Sequence, residues 1–385
     1  MWGLRARASA AGAVLAVAAL LAGVCLASPV AGASSRPTRA AALTKAIVTA
    51  WGQQTFIPGA IVGVWQKGAA PYVKTLGVRD LSTRRPMAAN LYMRIGSETK
   101  TFTVTAVLQL VDKRKVRLSD PIGKYVAGVP GGNRISLREL AEMRSGLSNY
   151  SDDVGFHEAL ASDPYRQFKP RELLAYSFRH PLMFAPGSEF FYSNTNTVLL
   201  GLVVEKVSRQ PLAVYIKQHI LKPEHLTHTV FPYGAAFPSP HAQGYADLTD
   251  TGTRDNVTGW NPSWGWAAGA MISTLDDLRV WARDVATGTL LTRATQKQRD
   301  QFVSAPALGA VKYGLGLFQA NGWIGHNGAL PGYQSLVVYL PSAQATIVVL
   351  LNGDKNPTPR DVRTMLARAI TKIITPKHVI NLAGG

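Results

Sequence analysis

The chain has 385 residues, of which 46% are hydrophobic, and it carries a formal net charge of +18. This composition excludes a disordered protein, because the chain can bury a large core in one big domain or two interleaved ones. The basic residues are scattered, with Lys113-Arg114-Lys115 as the longest run, which favours a solvated basic surface over a nucleic-acid site. The charge is compatible with an anionic partner at the cell envelope.

Residues 1–33 have the pattern of a secretory signal peptide. Two arginines precede an apolar run rich in Ala, Leu and Val, and Ala31 and Ala33 form an A-x-A cleavage site. The run is long enough to be an uncleaved membrane anchor, but its small-residue exit favours cleavage. The protein is therefore expected to be secreted or otherwise extracytoplasmic. Cleavage would also remove Cys25, the only cysteine, and would leave no disulfide and no cysteine metal site.

The hydrophobic pattern then changes from strands to helices. Two strands joined by a glycine-containing turn are predicted in GAIVGVWQKG and PYVKTLGVRD, residues 59–68 and 71–80. From Ser97 onward apolar residues recur at helical spacing, so Ser97 is predicted to open a helix. Helical patches and long loops continue to about residue 265, and another helix is predicted behind Ser273 and Thr274.

After Tyr313, short apolar runs separated by turn residues predict an antiparallel meander, and a closing helix is predicted with Pro359 at its first position. A lone hairpin is not stable, so the early hairpin is expected to join the late meander. This predicts an α/β (α+β) fold whose antiparallel sheet, flanked by helices, is built from both chain ends. The α/β domain would comprise residues 34–116 and 266–385, with a mainly helical domain, 117–265, inserted between them and a ligand cleft at their junction.

Ser97 and Lys100 are the first candidate catalytic residues. Residues three apart lie on one face of a helix, so the Ser97 hydroxyl and the Lys100 amine can approach each other. The helix N-terminus favours a developing negative charge near Ser97, and burial can lower the pKa of Lys100 until it accepts a proton. Taken alone the spacing is weak, because a capping serine followed by a surface lysine is equally common.

Tyr192 and Asn194 stand one residue apart in a loop just before a helix. A tyrosine held as phenolate by neighbouring cations can act as general base to Ser97 and later as acid to the leaving group. Whether Tyr192 or Lys100 takes the proton of Ser97 is left open by the sequence. The Asn194 amide can orient Lys100 and bind a substrate carbonyl.

The segment WIGHNGALPG places His326 and Asn327 on a strand of the meander, followed by Gly328. The missing side chain at Gly328 is predicted to let a substrate backbone lie close to the strand. The amide of Ala329 can then join that of Ser97 in an oxyanion hole.

The chain has three motifs in a fixed order: serine-x-x-lysine, tyrosine-x-asparagine about a hundred residues on, and histidine-x-glycine on a late strand. This order resembles that of the penicillin-recognising serine hydrolases. The resemblance covers nearly all of the mature chain and includes LRELAEMRSGLSNY and WAAGAMISTLDDLRVWARDV, which are similar to segments of secreted D-alanyl-D-alanine carboxypeptidases and class C β-lactamases. It implies a β-lactamase/transpeptidase-like fold and acyl transfer through an ester on Ser97, with Lys100 and Tyr192 moving protons. It implies no metal and no cofactor.

The third motif discriminates within this family. HNG looks more like the His-Thr-Gly of secreted carboxypeptidases than the Lys-Thr-Gly of β-lactamases, but Asn327 replaces a hydroxyl expected to hold the substrate carboxylate. The resemblance favours a D-alanyl-D-alanine carboxypeptidase-type penicillin-binding enzyme that acts on a peptidoglycan-like D-amino-acid peptide. The alternatives are a carboxyesterase of small acyl esters and a β-lactamase.

Other classes are less favoured. The sequence has no G-x-S-x-G nucleophile elbow, and HLTH at residues 225–228 lacks the glutamate of an H-E-x-x-H zinc site. A catalytically silent envelope-binding protein is the weaker hypothesis, because Ser97, Lys100 and Tyr192 are all present.

Overall fold

The predicted hairpin and meander come together in one sheet. The computed structural model describes residues 37–248, 252–354 and 361–382, so the predicted signal peptide and Pro359 lie outside the described residues. The strands within these ranges are β1 Gly59–Gln66, β2 Tyr72–Gly77, β3 Met93–Arg94, β4 Tyr245–Ala246, β5 Asp255–Asn256, β6 Ile272–Ser273, β7 Val303–Ser304, β8 Lys312–Tyr313, β9 Phe318–Ala320, β10 Trp323–Leu330, β11 Tyr333–Leu340 and β12 Ala345–Leu351.

Helices surround the sheet and fill the middle of the chain. Their bounds in the described part of the chain are α1 Arg39–Trp51, α2 Thr99–Asp112, α3 Leu137–Ala141, α4 Val154–Ser162, α5 Pro170–Phe178, α6 Asn194–Ser208, α7 Leu212–Ile216, α8 Trp266–Gly269, α9 Leu275–Thr287, α10 Arg293–Arg299 and α11 Val362–Ile374. The closing helix α11 begins at Val362, where the side chain of Asp361 accepts a hydrogen bond from the Arg363 amide as its cap.

The main sheet has eight strands in the order β2-β1-β12-β11-β10-β9-β8-β7, and its neighbouring strands are antiparallel. The pairing of β1 with β12 joins the early hairpin to the late meander. It covers the edge of β1 that a lone hairpin of β1 and β2 would leave unpaired. The predicted α/β fold, with a sheet built from both chain ends, is therefore confirmed.

Alternate side chains of a strand point to opposite faces of the sheet, so the core has two layers. On β1, Ile61 belongs to one apolar cluster, whereas Ala60 and Val62 belong to the other. The second cluster also contains Leu43 of α1 and Leu366 of α11, so these two helices cover that face of the sheet. The first cluster groups Ile61 with Leu278 of α9 and Phe102 of α2, so these two helices lie on the opposite face of the sheet.

Residues 38–385 form one compact unit, and the division into domains at residues 116 and 265 stays a prediction. Within the three described ranges no helix is both long and apolar enough to cross a bilayer. The helix α2 has most of its side chains buried, including several threonines, so it lies inside the fold and not on its surface. This places the segment that precedes α2 between the sheet and the helical region.

Candidate active site

Ser97 lies in a short 3-10 turn, Gly96–Glu98, directly before α2. Gly96 has a φ of 53°, and a Cβ at this position would lie 2.6 Å from the Ala329 backbone nitrogen. Only glycine adopts this conformation and this close approach without strain. The turn therefore holds Ser97 against strand β10.

Lys100 lies one turn further along, and its side chain is fully buried. Its Nζ lies 2.9 Å from Ser97 Oγ and donates to the Ala268 carbonyl at 2.8 Å. Burial lowers the pKa of Lys100 well below its ordinary value, because the charged amine loses its hydration. A neutral Lys100 can accept the proton of Ser97 while it keeps its bond to Ala268.

Tyr192 faces the same two groups. Tyr192 and Ser97 line the same cavity, and Lys100 Nζ lies 4.9 Å from the centre of the Tyr192 ring. Burial raises the pKa of Tyr192 above its ordinary value, and the neighbouring Glu98 raises it further, although the Ser97 hydroxyl lowers it. A raised pKa favours the protonated phenol over the phenolate that the sequence allowed.

Asn194 is the first residue of α6, and its side chain points to Ser151 instead of Lys100. Its amide nitrogen donates to Ser151 Oγ at 2.9 Å, and its backbone nitrogen donates to Asn149 Oδ1 at 3.0 Å. The two hydrogen-bond partners of Lys100 on the described residues are Ser97 and Ala268. The expected contact between Asn194 and Lys100 is therefore not formed, because the loop at 149–151 takes the amide.

His326 is buried on β10 between aromatic rings. Its Nδ1 lies 2.5 Å from the Asn327 carbonyl, which only accepts, so Nδ1 carries the proton and the Tyr313 hydroxyl donates to Nε2 at 2.9 Å. Burial is the main cause that lowers the pKa of His326 to about 3. His326 is therefore neutral at physiological pH and fixed in one tautomer.

Gly328 is required by the packing of the chain itself. A Cβ at this position would lie 1.9 Å from the Ile95 carbonyl oxygen and 2.7 Å from Ser335 Oγ. The missing side chain therefore admits the peptide that precedes Ser97, and the close approach of a substrate backbone stays a prediction. The same packing brings the Ala329 amide beside Gly96, the neighbour of Ser97, where the oxyanion hole was predicted.

A cavity of about 190 Å³ opens beside the nucleophile. Its lining includes six residues predicted from the sequence: Ser97, Tyr192, His326, Asn327, Gly328 and Ala329. Lys100 lies behind Ser97 and outside this lining. Among the described residues no group of His, Cys, Asp or Glu is arranged to hold a metal ion.

Arg363 also lines the cavity, and sequence reasoning missed it. It comes from α11, where Nε and Nη2 donate to the two carboxylate oxygens of Asp361 at 3.0 and 2.9 Å, and Nη1 donates to the Gly328 carbonyl. Its cationic charge is thus paired within the protein. The signal in the sequence was only an arginine behind a helix cap, which is too common to single out.

Arg299 and Glu98 are two further buried residues near the nucleophile that sequence reasoning missed. Arg299 is buried and donates to Thr105 Oγ1 at 2.9 Å and to the Thr101 carbonyl at 3.2 Å, so it braces α2 from the inside. Burial raises the pKa of Glu98 well above its ordinary value, against the opposing effects of the Thr101 hydroxyl and the Arg299 charge. These contacts fix the helix that presents Ser97 and Lys100.

We expect Tyr192→Phe to lower the rate of the chemical step by roughly two to four orders of magnitude, because the leaving group loses its proton donor. The ring contacts of Tyr192 with Tyr313 and His326 are retained, so the substrate KM should change little. Steady-state kinetics test this, with Tyr233→Phe, a change at an exposed tyrosine, as the control. A near-normal rate would exclude Tyr192 from proton transfer.

We expect Gly328→Ala to destabilise the fold by about 1–3 kcal/mol, since the new methyl group must displace the Ile95 peptide. Because this peptide leads into Ser97, acylation should fall as well. Chemical denaturation measures the first effect. Gly259→Ala is the matched control, because a Cβ there meets only Tyr165 at 3.5 Å. Equal stabilities of the two variants would contradict this role of Gly328.

The fold and the serine-lysine pair define a β-lactamase/transpeptidase-like serine hydrolase. The chain belongs to the beta-lactamase family, whose model matches residues 43–372. The protein flp of Staphylococcus aureus (strain COL) is 27% identical over 344 residues, which are 86% of this chain and 66% of that relative. The chain therefore spans just under two thirds of the length of this curated relative.

Solved structures agree with this fold. A D-stereospecific amidohydrolase from Streptomyces sp. superposes with a TM-score of 0.77 at 29% identity, over 87% of this chain and 98% of that one. An octameric penicillin-binding protein homologue from Pyrococcus abyssi superposes with a TM-score of 0.73 at 25% identity, over 88% and 78% of the two chains. The suspected membership of the penicillin-recognising superfamily is confirmed.

Proposed function

We propose that the protein hydrolyses an amide bond next to a small D-amino acid residue, through an acyl-enzyme on Ser97. The observation that carries this proposal is the 2.9 Å separation between Ser97 Oγ and the fully buried Nζ of Lys100. A lysine in this position supplies a base at neutral pH without histidine or metal.

The steps follow from the neighbours of Ser97. Ser97 Oγ attacks the substrate carbonyl carbon as its proton passes to neutral Lys100, and the amides of Ser97 and Ala329 stabilise the oxyanion. The carbon–nitrogen bond then breaks as the phenol of Tyr192 protonates the departing amine, and Lys100 returns its proton to Tyr192. Water then attacks the ester carbonyl as its proton passes to Lys100, the bond between the carbonyl carbon and Ser97 Oγ breaks, and Lys100 returns the proton to Ser97 Oγ, which regenerates the hydroxyl and the neutral amine.

The choice of amide over free peptide carboxylate rests on Arg363. A carboxypeptidase substrate places a carboxylate on the leaving group, and the cation that lines the cavity is already paired with Asp361. Asn327 adds an amide instead of the hydroxyl expected for carboxylate binding. The likeness to the D-stereospecific amidohydrolase supports a neutral D-amino-acid amide as substrate.

The second candidate is the D-alanyl-D-alanine carboxypeptidase expected from the sequence. It is favoured by the position of Arg363, whose guanidinium keeps two further N–H groups beyond the three contacts described. A carboxyesterase or β-lactamase reaction uses the same acyl-enzyme and differs only in the leaving group.

Turnover of four substrates under one condition tests the proposal: a D-amino-acid amide, a D-Ala-D-Ala peptide, a chromogenic cephalosporin and a short-chain nitrophenyl ester. We expect the highest kcat/KM on the amide, and inversion of the preference to the peptide would replace the first candidate by the second. The corresponding L-amino-acid amide should be a poorer substrate. Absence of turnover of all five compounds would contradict the proposal.

We also propose that the protein is exported. The support is the sequence of residues 1–33 alone, with its arginines, apolar run and A-x-A site. Expression of the full chain in a bacterial host, with N-terminal sequencing of the extracytoplasmic fraction, should give a mature chain that begins at Ser34. A product confined to the cytosol would contradict this proposal.

A further inference from the structure

A second and larger cavity lies at the other end of the nucleophile helix. It has a volume of about 650 Å³ and is lined by Val111 near the C-terminal end of α2, by the turn at 114–119, by Arg134 and the start of α3, and by Gln298 of α10. Ser97 precedes the N-terminal end of α2, whose 14 residues span about 20 Å. The two cavities are therefore separate sites on one helix.

The charge of this cavity is one-sided. Its lining contains four arginines, Arg114, Arg117, Arg134 and Arg138, and one carboxylate, Glu139. The carboxylate of Glu139 caps the start of α3. Its Oε2 accepts hydrogen bonds from the backbone nitrogen and the hydroxyl of Ser136 at 2.7 and 2.8 Å in a capping box.

The four arginines differ in their partners. Arg138 is bound to Glu142 at 3.1 Å and to Gln298 at 2.8 Å. Arg114, Arg117 and Arg134 are exposed, and the ion pairs formed within the described ranges include none of them. Three exposed cations thus share one concave surface with a single carboxylate, Glu139, so the surface has an excess of positive charge and attracts anions.

The backbone adds a second observation. The helix α2 ends in a turn in which the Lys115 amide donates to the Leu110 carbonyl at 2.9 Å, and Arg114 has a φ of 54°. Glycine is the usual residue at this position of such a turn, because a side chain there costs roughly 1–2 kcal/mol. An arginine in its place lines the cavity at the expense of local stability.

We propose that this cavity binds a phosphate-bearing ligand. Guanidinium groups match the oxygens of a phosphate through paired N–H donors, and a phosphate offers more oxygens and more charge than a carboxylate to the three exposed arginines of the lining. Ser119 also lines the cavity and adds a neutral hydroxyl donor. The site is independent of the Ser97 chemistry and holds whether or not the proposed amide hydrolysis is correct.

The test is a calorimetric titration of the whole protein with sodium tripolyphosphate at constant ionic strength. The triple variant Arg114→Gln/Arg117→Gln/Arg134→Gln should bind at least about tenfold more weakly than the wild type, since it lacks three charge-assisted contacts. The matched control is Arg85→Gln/Arg171→Gln/Arg368→Gln, which removes the same charge from three exposed arginines outside the cavity. It should change the affinity by less than about threefold.

A second arm distinguishes free phosphates from lipid headgroups by co-sedimentation with phosphatidylglycerol vesicles. Binding of either probe that is lost in the cavity variant and kept in the control supports the proposal. Equal losses in both triple variants, or no binding of either probe by the wild type, would overturn it. The far-ultraviolet circular dichroism spectrum and the midpoint of chemical denaturation report that each variant is folded. If the triple variant does not fold, Arg117→Gln alone is measured and should weaken binding by about threefold.

Discussion

Replacing Ser97 by alanine is expected to lower turnover of every substrate by at least about four orders of magnitude. The hydroxyl lies 2.9 Å from Lys100 Nζ and in the same cavity as Tyr192, so the variant removes the covalent route and leaves both proton carriers without their substrate. Binding should persist, because the variant keeps the cavity and the backbone amides of Ser97 and Ala329.

Two measurements support this outcome: substrate binding, which a folded Ser97→Ala variant retains and a misfolded one loses, and adduct formation, which needs the hydroxyl. Mass spectrometry after incubation with a labelled penicillin or a fluorophosphonate should show one adduct on the wild type and none on Ser97→Ala. The control is Ser119→Ala, which changes an exposed serine outside the lining of the active-site cavity and should retain the adduct. Full activity of Ser97→Ala, or an adduct on another serine, would remove the acyl-enzyme proposal altogether. A catalytically silent binding protein would show no adduct on any variant.

The parts that sequence reasoning reached depend on short-range rules. Helical spacing put Lys100 on the face of Ser97, and the instability of a lone hairpin required its pairing with the late meander, now seen between β1 and β12. Both arguments need only the period of an element and the cost of an uncovered strand. They do not need the positions of distant residues.

The parts that sequence reasoning missed depend on long-range packing. Arg363 reaches the cavity because α11 docks where its guanidinium meets the Gly328 carbonyl, 35 positions away in the chain. Tyr313 meets His326 across strands whose register is fixed by the whole meander. Spacing in the sequence specifies neither contact.

The surroundings of two residues explain the remaining differences. The sequence allowed Tyr192 to be a phenolate held by cations, but burial raises its pKa. Asn194 was expected to contact Lys100, and the loop at 149–151 competes for its amide. In both cases the residue was identified and its surroundings were not, because they come from segments that only the folded chain brings together.

Replacing Lys100 by methionine is expected to inactivate the enzyme and to stabilise the fold. Methionine is unbranched and close to lysine in size, so it fills the same buried space without an amine. Turnover should fall by about three orders of magnitude or more, because Ser97 loses its base. The free energy of unfolding should rise by about 1–2 kcal/mol at neutral pH, since a buried ionisable group that is costly to desolvate has been removed.

The pH dependence of this gain has a definite sign. The pKa of Lys100 is lower in the folded protein than in the unfolded chain, so the unfolded chain binds more protons and the stability of the wild type rises with pH until the ordinary lysine value of about 10.4. The methionine variant lacks this contribution. Its advantage over the wild type should therefore be largest at low pH and shrink as pH approaches 10.

Denaturant titrations at several pH values measure this difference in stability, with Lys45→Met, a change at an exposed lysine, as the control. A stability difference that is constant with pH would mean that the buried amine is already charged in the folded protein, and the proton acceptor for Ser97 would then have to be sought elsewhere.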